Sequence, residues 1–184
     1  MTPLRRSALL RIVLLLVALP LFVLGCDTAE DMMFQDDTVF VDEAIEIQFD
    51  FDAGDFNANG EATAQGNSSP SIDLLLAGSG FDRGDIVSIS GLPGSGELLI
   101  IDPPLAVIDE INRVELRLGG LLAGTAQVTM MDDDEDLTVA TTDLTPLSNA
   151  PGFDTSLNVV LSDPGAPQDY TLEARITLRF EVQP

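Results

Sequence analysis

Tyr170-Thr171-Leu172-Glu173-Ala174-Arg175-Ile176-Thr177-Leu178-Arg179-Phe180-Glu181-Val182 decides the fold. Apolar and polar side chains alternate along it without a break, and period two belongs to a β-strand, whose successive side chains point to opposite faces. One face suits a core and the other suits water, the pattern of an antiparallel sheet wetted on one side. Ile45, Ile47, Phe49 and Phe51 alternate in the same way with Glu46, Gln48 and Asp50. The two segments read as the first and last strands of one domain.

Between them lie β-rich runs at Ile72 to Ala77, Ile86 to Ser90, Glu97 to Ile101, Arg113 to Leu118, Thr125 to Met131, Leu137 to Thr142 and Leu157 to Leu161. Gly, Pro, Asn and Asp separate nearly all of them. That spacing predicts an all-β fold: an antiparallel, immunoglobulin-like β-sandwich of about nine strands with at most one short helix. The stretch from Pro104 to Leu118 fits two periods. Asp102-Pro103 could open a helix that Gly119-Gly120 ends, while Val114, Leu116 and Leu118 alternate as a strand. The expectation is a helical turn near Ala106 to Ile111 followed by a strand.

Gly78-Ser79-Gly80-Phe81-Asp82-Arg83-Gly84-Asp85-Ile86-Val87 resembles the opening of bacterial immunoglobulin-like modules of the IPT type, in which a Gly-x-Gly-Phe turn precedes a Val-rich strand. The likeness spans about ten residues. It implies a sandwich and no functional residues.

Composition removes many functions. All 8 basic residues are Arg, against 31 acids, with no His, no Trp and one Cys. Without His there is no Ser-His-Asp or Cys-His catalysis, and without Lys there is no Schiff base or phosphate-loop lysine. The expectation is a protein that is not an enzyme. Residues 1 to 25 hold three Arg and no acid, so the remainder carries five Arg against 31 acids, a formal charge of −26. Nucleic acid is not an expected partner, since phosphate binding needs a basic footprint. An acidic chain without lysine also resembles the proteins of halophilic bacteria, whose hydrated carboxylates keep them soluble in salt.

Arg5, Arg6 and Arg11 precede the apolar run Ile12 to Leu24, broken only by Pro20. This is the charged region and apolar region of a signal peptide, and it falls short of the roughly 20 apolar residues a spanning helix needs. Val23-Leu24-Gly25-Cys26 resembles the bacterial lipobox, in which a small residue precedes the cysteine that is lipidated and becomes the first residue of the mature protein. Cys26 has no other cysteine to pair with in this chain. The resemblance implies an extracytoplasmic lipoprotein anchored to a bacterial membrane through Cys26. The expected organisation is a signal peptide over 1–25, a lipidated cysteine and acidic flexible tether over 26–44, and a sandwich over 45–184. Asp27 to Glu43 holds seven acids and no basic residue, and a flexible segment of that length spans on the order of 20 to 25 Å.

Three acidic stretches are candidate sites. Asp55, Asn57, Asn59 and Glu61 place oxygens at alternate positions around Gly60, as the first half of an EF-hand loop does for calcium. Position twelve of that loop is Gly66 rather than Glu, Asp50 and Asp52 are the acids near enough to complete a shell, and Asn59-Gly60 also reads simply as a hairpin turn. Asp132-Asp133-Asp134-Glu135-Asp136 reads as a solvated loop. Asp154-Thr155-Ser156 is superficially similar to the aspartic-protease motif, whose chemistry needs a second aspartate that the chain does not repeat. The leading expectation is a non-catalytic envelope interaction or structural module. A ligand-binding protein assisted by calcium comes next, and a hydrolase using two carboxylates after it.

Overall fold

A computed structural model of the protein describes residues 38–102, 111–128, 134–165 and 167–183. Among the described residues ten strands fall into two antiparallel sheets. The architecture is an all-β sandwich, as the alternating segments predict. The first sheet is organised by its longest members, β1 (Val39–Phe51) and β10 (Tyr170–Val182), paired over their whole length from Val39 opposite Val182 to Phe51 opposite Tyr170. On the other side of β10, β3 (Ile86–Gly91) and β4 (Glu97–Asp102) lie end to end. Ser95, in the turn between them, clamps it to β10. Its Oγ accepts from the Thr177 N–H at 3.0 Å and donates to the Leu92 carbonyl at 2.8 Å. β7 (Asp134–Asp136) closes this edge against β4.

The second sheet runs β2 (Glu61–Gln65), β9 (Thr155–Leu161), β5 (Ile111–Leu118), β6 (Leu121–Gln127) and β8 (Thr138–Val139). Its inward residues, among them Val114, Leu116, Leu118, Leu157 and Val159, are fully buried. They belong to one core with Ile47, Phe49, Phe51, Leu172, Ile176, Leu178 and Phe180 of the first sheet. β5 and β6 are joined by Gly119-Gly120, with φ of +55° and +80°. Two left-handed residues make the hairpin turn whose twist matches the strands, which glycine adopts without steric penalty. The pair of glycines therefore turns a hairpin rather than ending a helix.

Several segments depart from the expectations. Val39 to Ala44, assigned from sequence to the tether, form the first half of β1. They pair with β10 from Val182 to Thr177, with Asp42 opposite Arg179. Ile72 to Ala77, read as a strand, is instead α1 (Ile72–Leu76). Ile72 and Leu76, four apart, are buried, whereas Leu74, which a strand would place beside them, is 77% exposed. Asp133 and the acids before it lie outside the described residues, but Asp134 to Asp136 are an edge strand rather than a loop. Only Thr138 and Val139 of the run from Leu137 to Thr142 are strand, and β6 starts at Leu121, four residues ahead of the expected run. Ala106 to Glu110 of the expected helical turn lie outside the described residues, while Ile111 opens β5.

Asn59-Gly60 does not join a hairpin. The connection from Asp52 to Gly60 carries the chain from the first sheet to the second. Among the described residues no helix is long and apolar enough to cross a membrane.

Candidate functional site

The connection from β1 to β2 is held by its own oxygens. Asp55 ends a 3-10 turn (Ala53–Asp55), and its Oδ2 accepts from the Asp52 N–H at 3.0 Å. The Ala53 N–H donates to Asp169 Oδ1 at 2.7 Å, tying this turn to the segment before β10. Asn57 Oδ1 accepts two backbone N–H groups, from Asn59 at 2.8 Å and Glu61 at 3.2 Å. Gly60 adopts φ +72°, and a Cβ there would lie 3.1 Å from Pro164 Cα, so both backbone and space call for glycine. Glu61 Oε1 accepts from Asn158 Nδ2 at 3.2 Å across the β2 and β9 pair.

Asp55, Asn57 and Glu61 thus each direct a side-chain oxygen at a protein N–H, and Asn59 contributes its backbone N–H to the same turn. Asp50, the acid that would complete a shell, accepts from Thr171 Oγ1 at 2.7 Å and Asn67 Nδ2 at 3.1 Å. Those two bonds, the Thr171 one first, hold its carboxyl below the usual aspartate range. Among the described residues no three His, Cys, Asp or Glu side chains gather as metal ligands do. The alternate oxygens that suggest a calcium loop in sequence hold a backbone turn in this structure, which uses the same Asp and Asn side chains.

Asp154 stands at the other end of β9. The Gly119 N–H donates to its carbonyl at 2.7 Å, Phe153 before it is buried, and the buried Thr155 after it donates Oγ1 to the Ser68 carbonyl at 3.3 Å. The surrounding hollow, about 400 Å³, is lined by Gly119, Gly120, Leu121, Leu147, Phe153 and Asp154 among others, and Asp154 is its one ionisable residue. The Leu161 N–H at the far end of β9 donates to the Gly60 carbonyl. The calcium-like loop and Asp154 are thus separated by the seven residues of β9, roughly 23 Å. These carboxylates do not converge.

The most connected polar group was not singled out in the sequence. On the outer face of the first sheet, Arg175 lies 2.7 Å from Glu173, 3.3 Å from Glu97 and 3.5 Å from Glu46. The Glu173 side chain is only 8% exposed, and its second oxygen accepts from Gln48 Nε2 at 3.0 Å. The Glu173 bond and the surrounding carboxylates push the Arg175 pKa up. Four residues on, Arg179 grips both oxygens of Asp42 at 2.7 Å and stacks 5.5 Å from the Phe40 ring centroid. The Arg179 hydrogen bonds hold the Asp42 carboxyl below its usual range. Part of the signal was present in the two alternating segments, because aligning them sets Glu46 opposite Arg175 and Gln48 opposite Glu173, while Asp42 opposite Arg179 lies in the part of β1 assigned from sequence to the tether.

The other three arginines after Cys26 are paired as well, Arg83 with Asp73 at 2.7 Å, and Arg113 and Arg117 with Glu115 at 2.8 and 3.2 Å. All five are used within the domain. The remaining surface is dominated by acid.

No protein-family model matches the chain, and no curated protein matches it. Among solved structures it is similar to that of Mud crab tombus-like virus, with 9% identity over 82% of this chain and 92% of that one, at a TM-score of 0.35. The decameric BFDV capsid protein shows 6% identity over 78% of this chain and 99% of that one, with a TM-score of 0.40. The structure of infectious bursal disease virus, Gx strain, shows 15% identity over 80% of this chain and 34% of that one, with a TM-score of 0.38. At these values no functional statement passes from them to this chain.

Proposed function

We propose that the chain is a lipid-anchored protein of a bacterial cell envelope, whose β-sandwich is a non-catalytic interaction or structural module held outside the cytoplasm by acyl chains on Cys26. The observation that carries this reading is the order of Arg5, Arg6 and Arg11, the apolar run to Leu24, and Val23-Leu24-Gly25-Cys26, followed at once by an acidic segment. Several acyl chains, at about 0.8 kcal/mol per buried methylene, give stable anchoring. The module reading draws support from where the polar side chains go: the oxygens of Asp55 and Asn57 hold a turn, and all five arginines hold sheet faces or loops together.

The test is intact-mass analysis and cell fractionation of the full chain beside Cys26→Ser. The wild type is expected to lose residues 1–25, gain acyl mass and partition with membranes, and the variant to be released or mislocalised. A wild-type chain that still begins at Met1 without acyl mass would overturn the proposal.

A further inference from the structure

Four of the five large apolar residues exposed among the described residues, Val39, Phe40, Leu74 and Val87, lie toward one end of the sandwich. Val39 opens β1 opposite Val182, and Val182 is paired in turn with Ile86, the neighbour of Val87. Leu74 joins them through the next residue, Asp73, whose carboxylate holds Arg83 at 2.7 Å, three residues before Ile86. Phe40 remains 59% exposed despite the Arg179 guanidinium over its ring, and Leu74 is 77% exposed. The fifth residue, Ile101, adjoins Ile100 and Asp102, which face Leu172 and Thr171 near the far end of β10. Ten residues of strand separate the two levels, about 33 Å.

This apolar end is also where the chain enters the domain. Because β1 begins at Val39, only residues 27 to 38 separate it from Cys26, and twelve residues reach at most about 43 Å even when fully extended. A short tether confines this end near whatever Cys26 is fixed to, and confinement raises the effective concentration of even a weak contact. Several of the charges described here are locally partnered. Asp42 is held by Arg179 and Asp73 by Arg83, Asp82 and Asp85 accept backbone N–H groups, and Glu181 accepts from Ser88 Oγ. A surface of zwitterionic headgroups carries no net charge and does not repel the acids that remain.

We infer that this end of the sandwich rests on the lipid surface, with Phe40, Leu74 and Val87 reaching the boundary between headgroups and acyl chains. The inference depends on the anchoring at Cys26 proposed above. Apolar side chains at such a boundary leave water, while the acid-rich remainder of the domain stays solvated. The protein is thereby held upright, with the end bearing Ile101 presented away from the membrane.

The test uses the full lipidated chain in phosphatidylcholine vesicles, carrying an environment-sensitive fluorophore on Phe40→Cys, Leu74→Cys or Ile101→Cys. These positions are exposed, and urea melting of each variant verifies its fold. Intact mass reports acylation, and vesicle flotation reports binding. The probes at 40 and 74 are expected to shift to the blue and to be quenched by brominated acyl chains, whereas the probe at 101 keeps its emission in water. An acylated, floating protein whose probes at 40 and 74 stay in water overturns the seating alone. A chain without acyl mass that does not float overturns the anchoring as well.

Discussion

Asn57 engages two backbone N–H groups with one oxygen, and alanine offers no acceptor in its place. Asn57→Ala is expected to cost about 1 to 2 kcal/mol, the sum of two modest hydrogen bonds, by urea denaturation. The cost should be equal in calcium and in chelator at matched ionic strength, since the oxygen serves the turn. A loss seen only with calcium would instead show a metal ligand. Gly60→Ala should cost a similar 1 to 2 kcal/mol, because it forces a Cβ into the left-handed region and toward Pro164. Asp42 and Asp50 add a pH dependence of definite sign. Their carboxyls are held below the ordinary value by Arg179 and by Thr171 and Asn67, respectively. Each therefore contributes stability that is fully present above the ordinary value of 3.8 and lost as pH falls through the lowered folded value. Thermal melting should show Asp42→Asn and Asp50→Asn less stable than the wild type above the ordinary value and converging on it as pH falls through the lowered folded values.

At the scale of elements, β10 carries more than its share. It pairs with β1, β3 and β4, and its outer face seats Glu173 almost out of water beneath Arg175. Removing Arg175 leaves that carboxylate beside Glu46 and Glu97 with only Gln48 to neutral-bond it, and an uncompensated buried charge costs more than an exposed pair contributes. Arg175→Ala should lower the urea midpoint more than Glu46→Ala or Glu97→Ala, and the further change Glu173→Leu should recover most of the loss. On the inner face of the second sheet, Leu116→Ala opens a cavity in a fully buried site and should cost about 2 to 5 kcal/mol by the same measurement. The edges are treated differently from the centre. β7 presents Asp134 and Asp136 outward, and charged short edges discourage pairing with another copy.

The whole molecule is a polyanion, and the five arginines among the described residues are already paired. Eight arginines cannot neutralise 31 acids, so the excess repels itself. The Debye length falls from roughly 30 Å at 0.01 M salt to about 3 Å at 1 M, which covers the spacing of charges on a domain of this size. The melting temperature should rise monotonically over that range, equally in sodium and potassium chloride, because screening does not distinguish them. A flat curve would show that the acids are spaced widely enough not to interact. Acid acts in two directions, relieving repulsion as carboxylates protonate and, below the ordinary aspartate value, dissolving the Asp42 and Asp50 bonds, so salt is the cleaner probe of net charge.

Strand character and sandwich class were legible along the chain because period two is a local property: each side chain of β1 and β10 reports its own face without reference to a partner. Charge and the absence of lysine and histidine were equally plain, since they require only counting. Tertiary structure decided the rest. The run at Ile72 became a helix, which buries Ile72 and Leu76 and turns Leu74 to solvent, where a strand would have put all three on one face. Asp134 to Asp136 became a strand because β4 supplied an edge to pair with, and the start of β1 moved to Val39 because β10 reached far enough to pair it. The calcium-like loop and the Arg175 cluster make the same point from opposite sides. Asp and Asn oxygens serve metals and turns alike, and a cross-strand charge pair exists only once register is set, so both outcomes depended on neighbours distant in sequence.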